Sequence, residues 1–153
     1  MKILLSFLAL IAPAAAMAAS DVSLDSDVFV ERVKQDASGK SSTVLEPPKV
    51  VTPGDKLVFV LAYKNGGAKP ATDFVVTNPI PAAVAFAGTE GDGALVSVDG
   101  GKSWGALATL KVKQADGKLR PALPADVTHV RWSFAKAIAA GAGGKLSFRG
   151  IVK

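Results

Sequence analysis

The chain lacks cysteine altogether and has a single histidine, two tryptophans and one tyrosine among its 153 residues. Without cysteine there is no disulfide framework, no thiolate nucleophile, no iron–sulfur cluster and no lipidated thiol. One histidine cannot build a His-rich metal site. Charge is also sparse, at 20% of residues. Beyond the first two dozen residues, no apolar stretch approaches the ~20 residues of a membrane helix. What the chain does have is small and turn-forming residues, with 15 Gly and 9 Pro.

The start of the sequence has its own logic. Lys2 precedes an apolar run over 3–16, and Ala16-Met17-Ala18 supplies small residues at the spacing of a signal-peptidase site. Residues 1–18 therefore read as a secretory signal peptide. They leave a processed chain of residues 19–153, with no stable membrane insertion, in the periplasm or at the cell surface. That length buries a core without disulfide staples.

The processed chain alternates apolar and polar residues in short runs separated by Gly, Pro, Asn and Asp. The runs fall at 56–63, 73–77, 94–98, 108–113, 127–134 and 145–152, with a short addition at 83–86. This pattern predicts an all-β chain, an antiparallel sandwich of about seven to nine strands. Only 135–140 has helical character, and Gly141, Gly143 and Gly144 cut it off. Period-2 alternation puts Val130, Trp132 and Phe134 on one face and His129, Arg131 and Ser133 on the other. In 108–113, Ala108, Leu110 and Val112 oppose Thr109, Lys111 and Lys113.

The run at 57–63 differs. Leu57, Phe59, Leu61 and Tyr63 make one apolar face, and Val58, Val60 and Ala62 make the other. A strand apolar on both sides requires a second layer or a partner. The N-terminal stretch is a candidate for that layer, because Val22, Leu24, Val28 and Val30 alternate with Asp21, Ser23, Asp25 and Asp27. These four apolar residues are the candidate donor strand, with pairing inside their own domain, as the first strand of a sandwich, as the alternative and favoured local geometry. The polar stretch 35–42 reads as a flexible loop, so residues 19–46 form an N-terminal strand and loop ahead of a sandwich domain at 47–153.

Val51-Thr52-Pro53-Gly54-Asp55 leads into the apolar strand, and its physical role is a turn: Pro53 fixes φ, Gly54 reverses the chain and Asp55 precedes the strand. Here an ordered series begins: VTPGDKLVFVLAYKNGG from Val51, ATDFVVTNPIP from Ala71, SVDGGKSW from Ser97, THVRWSF from Thr128 and IAAGAGGKLSF from Ile138. The series resembles the conserved repeat domain of bacterial and archaeal surface proteins called domain of unknown function 11, over about residues 47–153. The resemblance implies an immunoglobulin-like β-sandwich, in that family usually arrayed in tandem on large surface proteins. This chain has one copy, which departs from the tandem pattern.

The stretch Ser97 to Trp104 also fits the Asp-box pattern, with Asp99 accepting backbone N–H groups, Gly101 at positive φ and Trp104 over the hairpin. Asp-boxes in sialidase-like propellers are structural, and a structural turn is the expectation here as well. Asp25 with Asp27, and Glu90 with Asp92, are carboxylates two apart, the residue type that glycosidase chemistry pairs, and both pairs read as solvated acids. Calcium on loop oxygens such as Asp92 and Asp99 has no EF-hand spacing behind it.

His129 has no nucleophile elbow to serve. Lys111, Lys113, Lys118 and Arg120 lack the interleaved aromatics of a nucleic-acid surface. The resulting expectation is a non-enzymatic, cofactor-free structural or adhesive module. It would act through protein partners or through copies of itself, with filament formation by N-terminal strand donation as the specific form. The alternative is a monomeric module binding glycan or another ligand.

Overall fold

The Gly and Pro clusters cut the apolar runs into ten strands in the computed structural model, which describes residues 21–91 and 93–153. Residues 1–20, which include the expected signal peptide, and Asp92 lie outside the described residues. In chain order the strands are β1 (Val22–Gln35), β2 (Ser41–Glu46), β3 (Lys56–Asn65), β4 (Val75–Pro79) and β5 (Val84–Thr89). They continue as β6 (Ala94–Ser97), β7 (Lys111–Lys113), β8 (Leu119–Pro121), β9 (His129–Ser133) and β10 (Gly143–Val152).

Every pairing is antiparallel. One sheet has the order β2-β1-β3-β10-β5, a second β4-β9-β6, and β7-β8 form a separate ribbon. The expected all-β sandwich is therefore present: its two sheets hold eight strands, within the expected seven to nine, and the β7-β8 ribbon adds two more among the described residues.

The core lies between the two larger sheets. Val30, Leu57, Phe59, Leu61, Val84, Phe86 and Phe148 come from the five-stranded sheet, and Val76, Val96, Val130 and Trp132 from the three-stranded one. Phe59 and Phe148, register partners on β3 and β10, stack with centroids 4.4 Å apart and planes 2° from parallel. Tyr63, Phe74 and Phe134 close one end, with the Tyr63 and Phe134 rings edge to face at 4.9 Å. Gly150 has no room for a side chain, because a Cβ there would collide with Val84 Cγ1 across the β10–β5 pair.

Three expectations need correction. Of the loop expected at 35–42 only 36–40 is loop, since Gln35, Ser41 and Ser42 pair in the β1–β2 hairpin: Asp36 accepts from Ser38 N–H and Lys40 N–H and Gly39 takes φ +82°, which turns β1 back into β2. The run 108–113 is not one strand. Leu107–Thr109 is a 3₁₀ turn, and only Lys111–Lys113 pairs, so the alternation from Ala108 breaks where Thr109 bonds back to Ala106. The weak helical character of 135–140 yields no helix there, in keeping with the glycines that follow it: Ile138 exchanges both backbone hydrogen bonds with Ala71. Finally, the N-terminal segment does not lie over β3 as a second layer but beside it in the sheet.

Candidate functional site

The outer face of the five-stranded sheet is built from sequence alternation. Register pairing brings Phe29, Asp27 and Asp25 of β1 level with Val58, Val60 and Ala62 of β3. On the far side, Arg149, Ser147 and Lys145 of β10 stand level with the same three residues. Leu45 of β2 is level with Glu31, and Ile151 of β10 with Lys56. Val58 is only 3% exposed, whereas Val60 and Ala62 are half-buried and Leu45 and Ile151 are 48% and 40% exposed.

Arg149 lies across this face, donating from Nε to Glu31 at 3.1 Å and from an Nη to Glu90 at 2.7 Å. Two shallow depressions flank that bridge. One of about 400 Å³ includes Asp27, Phe29, Leu45, Val60, Ala62 and Lys145. The other, of about 550 Å³, includes Thr43, Lys56, Ala87 and Ile151.

The candidate donor strand is paired within its own chain, from Val22 opposite Asn65 to Val30 opposite Leu57. Val30 is buried, Val22 and Val28 are half-buried, and Leu24 is 44% exposed, so burial deepens toward the C-terminal half of that stretch. Asp25 and Asp27 point away from these residues, onto the outer face. Beyond Val30 the strand leaves β3 and continues as a hairpin with β2.

The turn Pro53-Gly54-Asp55 is where that hairpin is anchored. Gly54 takes φ +93° and donates to Val152 O at 2.8 Å. The Asp55 carboxylate accepts both Arg32 Nη groups, at 2.6 and 3.2 Å, and the Thr52 N–H at 2.9 Å. The Arg32 bonds lead in holding the Asp55 carboxyl down to about 2, with the Thr52 N–H next. Sequence reading gave Asp55 only a turn role and missed Arg32, whose partner lies 23 residues away.

The Asp-box closes on itself. Asp99 accepts from the Ser103 hydroxyl and N–H, from the Lys102 N–H and from the Ser97 hydroxyl, at 2.6–3.0 Å. These donors, the Ser103 hydroxyl first, keep its carboxyl far below the usual aspartate range. Gly101 has φ +88°, and Trp104 Nε1 donates to its carbonyl at 3.0 Å. The Arg131 guanidinium sits 3.8 Å over the Trp104 ring, with the His129 ring edge-on at 6.4 Å. Arg131 Nε also reaches Thr77 Oγ1 at 3.1 Å. Thus Trp104 meets His129 and Arg131 on the outer face of β9, where period-2 alternation puts those two residues.

Other candidates disperse. Glu90 pairs with Arg149, while Asp92 falls outside the described residues. Arg120 grips Asp126 with two bonds, at 2.6 and 2.7 Å, and Lys118 lies 3.6 Å from Asp116, so the basic ribbon of β7 and β8 is partly neutralised. Among the described residues no group of three or more His, Asp or Glu side chains could hold a metal ion, and no helix is long and apolar enough to cross a membrane.

A buried residue that the sequence did not flag is Asn65. Its Nδ2 donates to Lys69 O and Ile138 O, and its Oδ1 accepts from Gly67 N–H. It fastens the loop after β3 to the segment before β10. Asn65-Gly66-Gly67 signals a turn, but nothing in the sequence shows the second segment.

No protein-family model, no curated protein and no solved structure matches the chain.

Proposed function

We propose that the chain is an exported, non-enzymatic structural or adhesive module that works through protein contacts, a relative of domain of unknown function 11. The observation that carries this reading is β3, which fills the core with Leu57, Phe59 and Leu61 and turns Val58, Val60 and Ala62 to the opposite face, where Val58 is buried among its neighbours and Val60 and Ala62 stay half-exposed. Antiparallel sheets facing water on one side normally alternate apolar with polar residues. An apolar row at the centre of such a face serves contact with another protein.

Strand donation is the narrower form of the proposal. β1 supplies a whole strand through nine register pairs with β3, and the same pairs can form between copies. A second reading, glycan or ligand binding by a monomer, draws on the Trp104, Arg131 and Thr77 cluster, although the guanidinium already occupies one ring face.

The test is fractionation of producing cells, followed by amine cross-linking. The expected product begins at Ala19, lies outside the cytoplasm and becomes joined to protein. A full-length cytoplasmic chain that stays single at every cross-linker dose contradicts the proposal. Strand donation adds an open-ended ladder of copies that disappears on deletion of residues 19–34. Glycan binding predicts instead a change in tryptophan emission on titration with oligosaccharide.

A further inference from the structure

On the outer face of the five-stranded sheet, exposed Lys56 and Lys64 end the apolar row of β3, and further charges flank that row on two sides. β1 contributes Asp25, Asp27 and Glu31 on one side, and β10 contributes Lys145 and Arg149 on the other. Asp25 and Lys145 are both exposed, and neither makes an ion pair among the described residues. Between them run Val58, Val60 and Ala62, with exposed Leu45 and Ile151 farther out.

We propose that this face binds the same face of a second copy, β3 over β3, about a two-fold axis parallel to β3. The flanking charges select that axis, and the β3 lysines that it superposes, Lys56 and Lys64, lie at the two ends of the row, on the solvent-open rim. Rotation about a line parallel to β3 exchanges the two sides of the sheet, so the β1 acids of one copy come to lie over the β10 bases of the other. Because Asp25 and Lys145 share the level of Ala62, each Asp25 faces the other copy's Lys145. Asp27 lies one pleat step from the same ammonium group. A two-fold axis across the strands would instead stack β1 on β1, acids over acids, and β10 on β10, bases over bases. Like charges in juxtaposition across an interface are strongly disfavoured.

The chosen arrangement also keeps the strands of the two sheets aligned, the usual way that sheets stack, at about 10 Å separation. The depressions beside the Glu31–Arg149–Glu90 bridge leave space for side chains such as Leu45 and Ile151 of the other copy.

The size of the contact sets its strength. Five strands and about seven residues along each cover roughly 24 Å by 23 Å, or ~1,100 Å² for the two copies together. That is the low end for a specific interface, so the dimer is a reversible one. This inference rests on the protein-contact reading and names its partner.

The test is sedimentation of the protein purified after export, in low salt, over a concentration series reaching about 1 mM. The expected result is a monomer–dimer equilibrium that stops at two copies. Val60→Lys, at a half-buried outward position, abolishes the dimer and leaves the thermal transition in place. Asp25→Lys and Lys145→Asp each weaken the dimer by about tenfold, and the double exchange restores it to within about threefold. Both charged positions are exposed, so these variants fold even if Val60→Lys does not.

A monomer at every concentration overturns the inference, as does a dimer indifferent to Val60→Lys or to the charge exchange. An open-ended series that requires residues 19–34 also overturns it, in favour of strand donation. Loss of the dimer with cross-linking to other proteins intact would remove this face and leave the proposed function standing.

Discussion

Asp25 and Lys145 stand on opposite sides of Ala62, each its register partner, with opposite charges at one level of the same sheet face. Antiparallel pairing fixes this relationship, since β1 and β10 both pair with β3 and side chains at paired positions share a face. The apolar row between them makes the face self-complementary.

Asn65 is 1% exposed and satisfies its side-chain amide entirely with protein groups. Asn65→Ala removes three hydrogen bonds and leaves two carbonyls and an N–H in a closed site. The expected loss of unfolding free energy is about 3 kcal/mol, read from urea denaturation. An unchanged midpoint would show that water replaces the amide.

Asp99→Ala removes the acceptor of four hydrogen bonds in the turn that carries Trp104. The expected outcome is a lower melting temperature and a red shift of tryptophan emission as Trp104 opens to solvent, with the cation–π contact to Arg131 lost. Emission that keeps its maximum would detach Trp104 from the Asp99 turn.

The acid limb of stability follows from depressed carboxyls. Asp55, held by Arg32, and Asp126, held by Arg120, both lie at about 2 against an ordinary value of 3.8, and Asp99 is also lowered by its donors. The unfolded chain binds these protons at higher pH than the folded chain does. Their stabilisation is therefore complete above about pH 5 and is lost as pH falls toward about 2. Melting temperature measured across that range should fall, and Asp55→Asn should flatten the decline. A flat profile in the unmodified protein would contradict these ion pairs and turns.

Trp132 is buried in the core, and its Nε1 is the one buried side-chain nitrogen or oxygen with no hydrogen-bond partner among the described residues. Trp132→Phe removes that N–H and retains most of the ring, so it should change stability by less than ~1 kcal/mol, while Trp132→Ala should cost roughly 3–5 kcal/mol. Chemical denaturation distinguishes them. Equal losses would mean that the indole nitrogen is bonded in solution.

The strands of the core were legible because burial on one side writes itself as alternation. Val130 and Trp132 point inward and His129 and Arg131 outward, as period two requires. β2 was illegible because SSTVLE carries only two apolar residues and sits behind a polar turn, so its strand character comes from pairing with β1. The alanine-rich stretch 135–140 has helix propensity, but the backbone exchange between Ile138 and Ala71 outweighs it. The two-sided apolar character of β3 was plain in the sequence. Which residues flank it was not, since Asp25 and Lys145 are 120 positions apart and meet only through two separate registers.

The central claim is that this face joins two copies with acid over base. The chain has no cysteine, so single cysteines report cleanly. Copies carrying Asp25→Cys are mixed with copies carrying Lys145→Cys, and a short bifunctional thiol reagent is added. The account predicts that 25-to-145 cross-links between copies exceed 25-to-25 and 145-to-145 cross-links. Same-site cross-links in the majority, or none at concentrations near 1 mM, would contradict it.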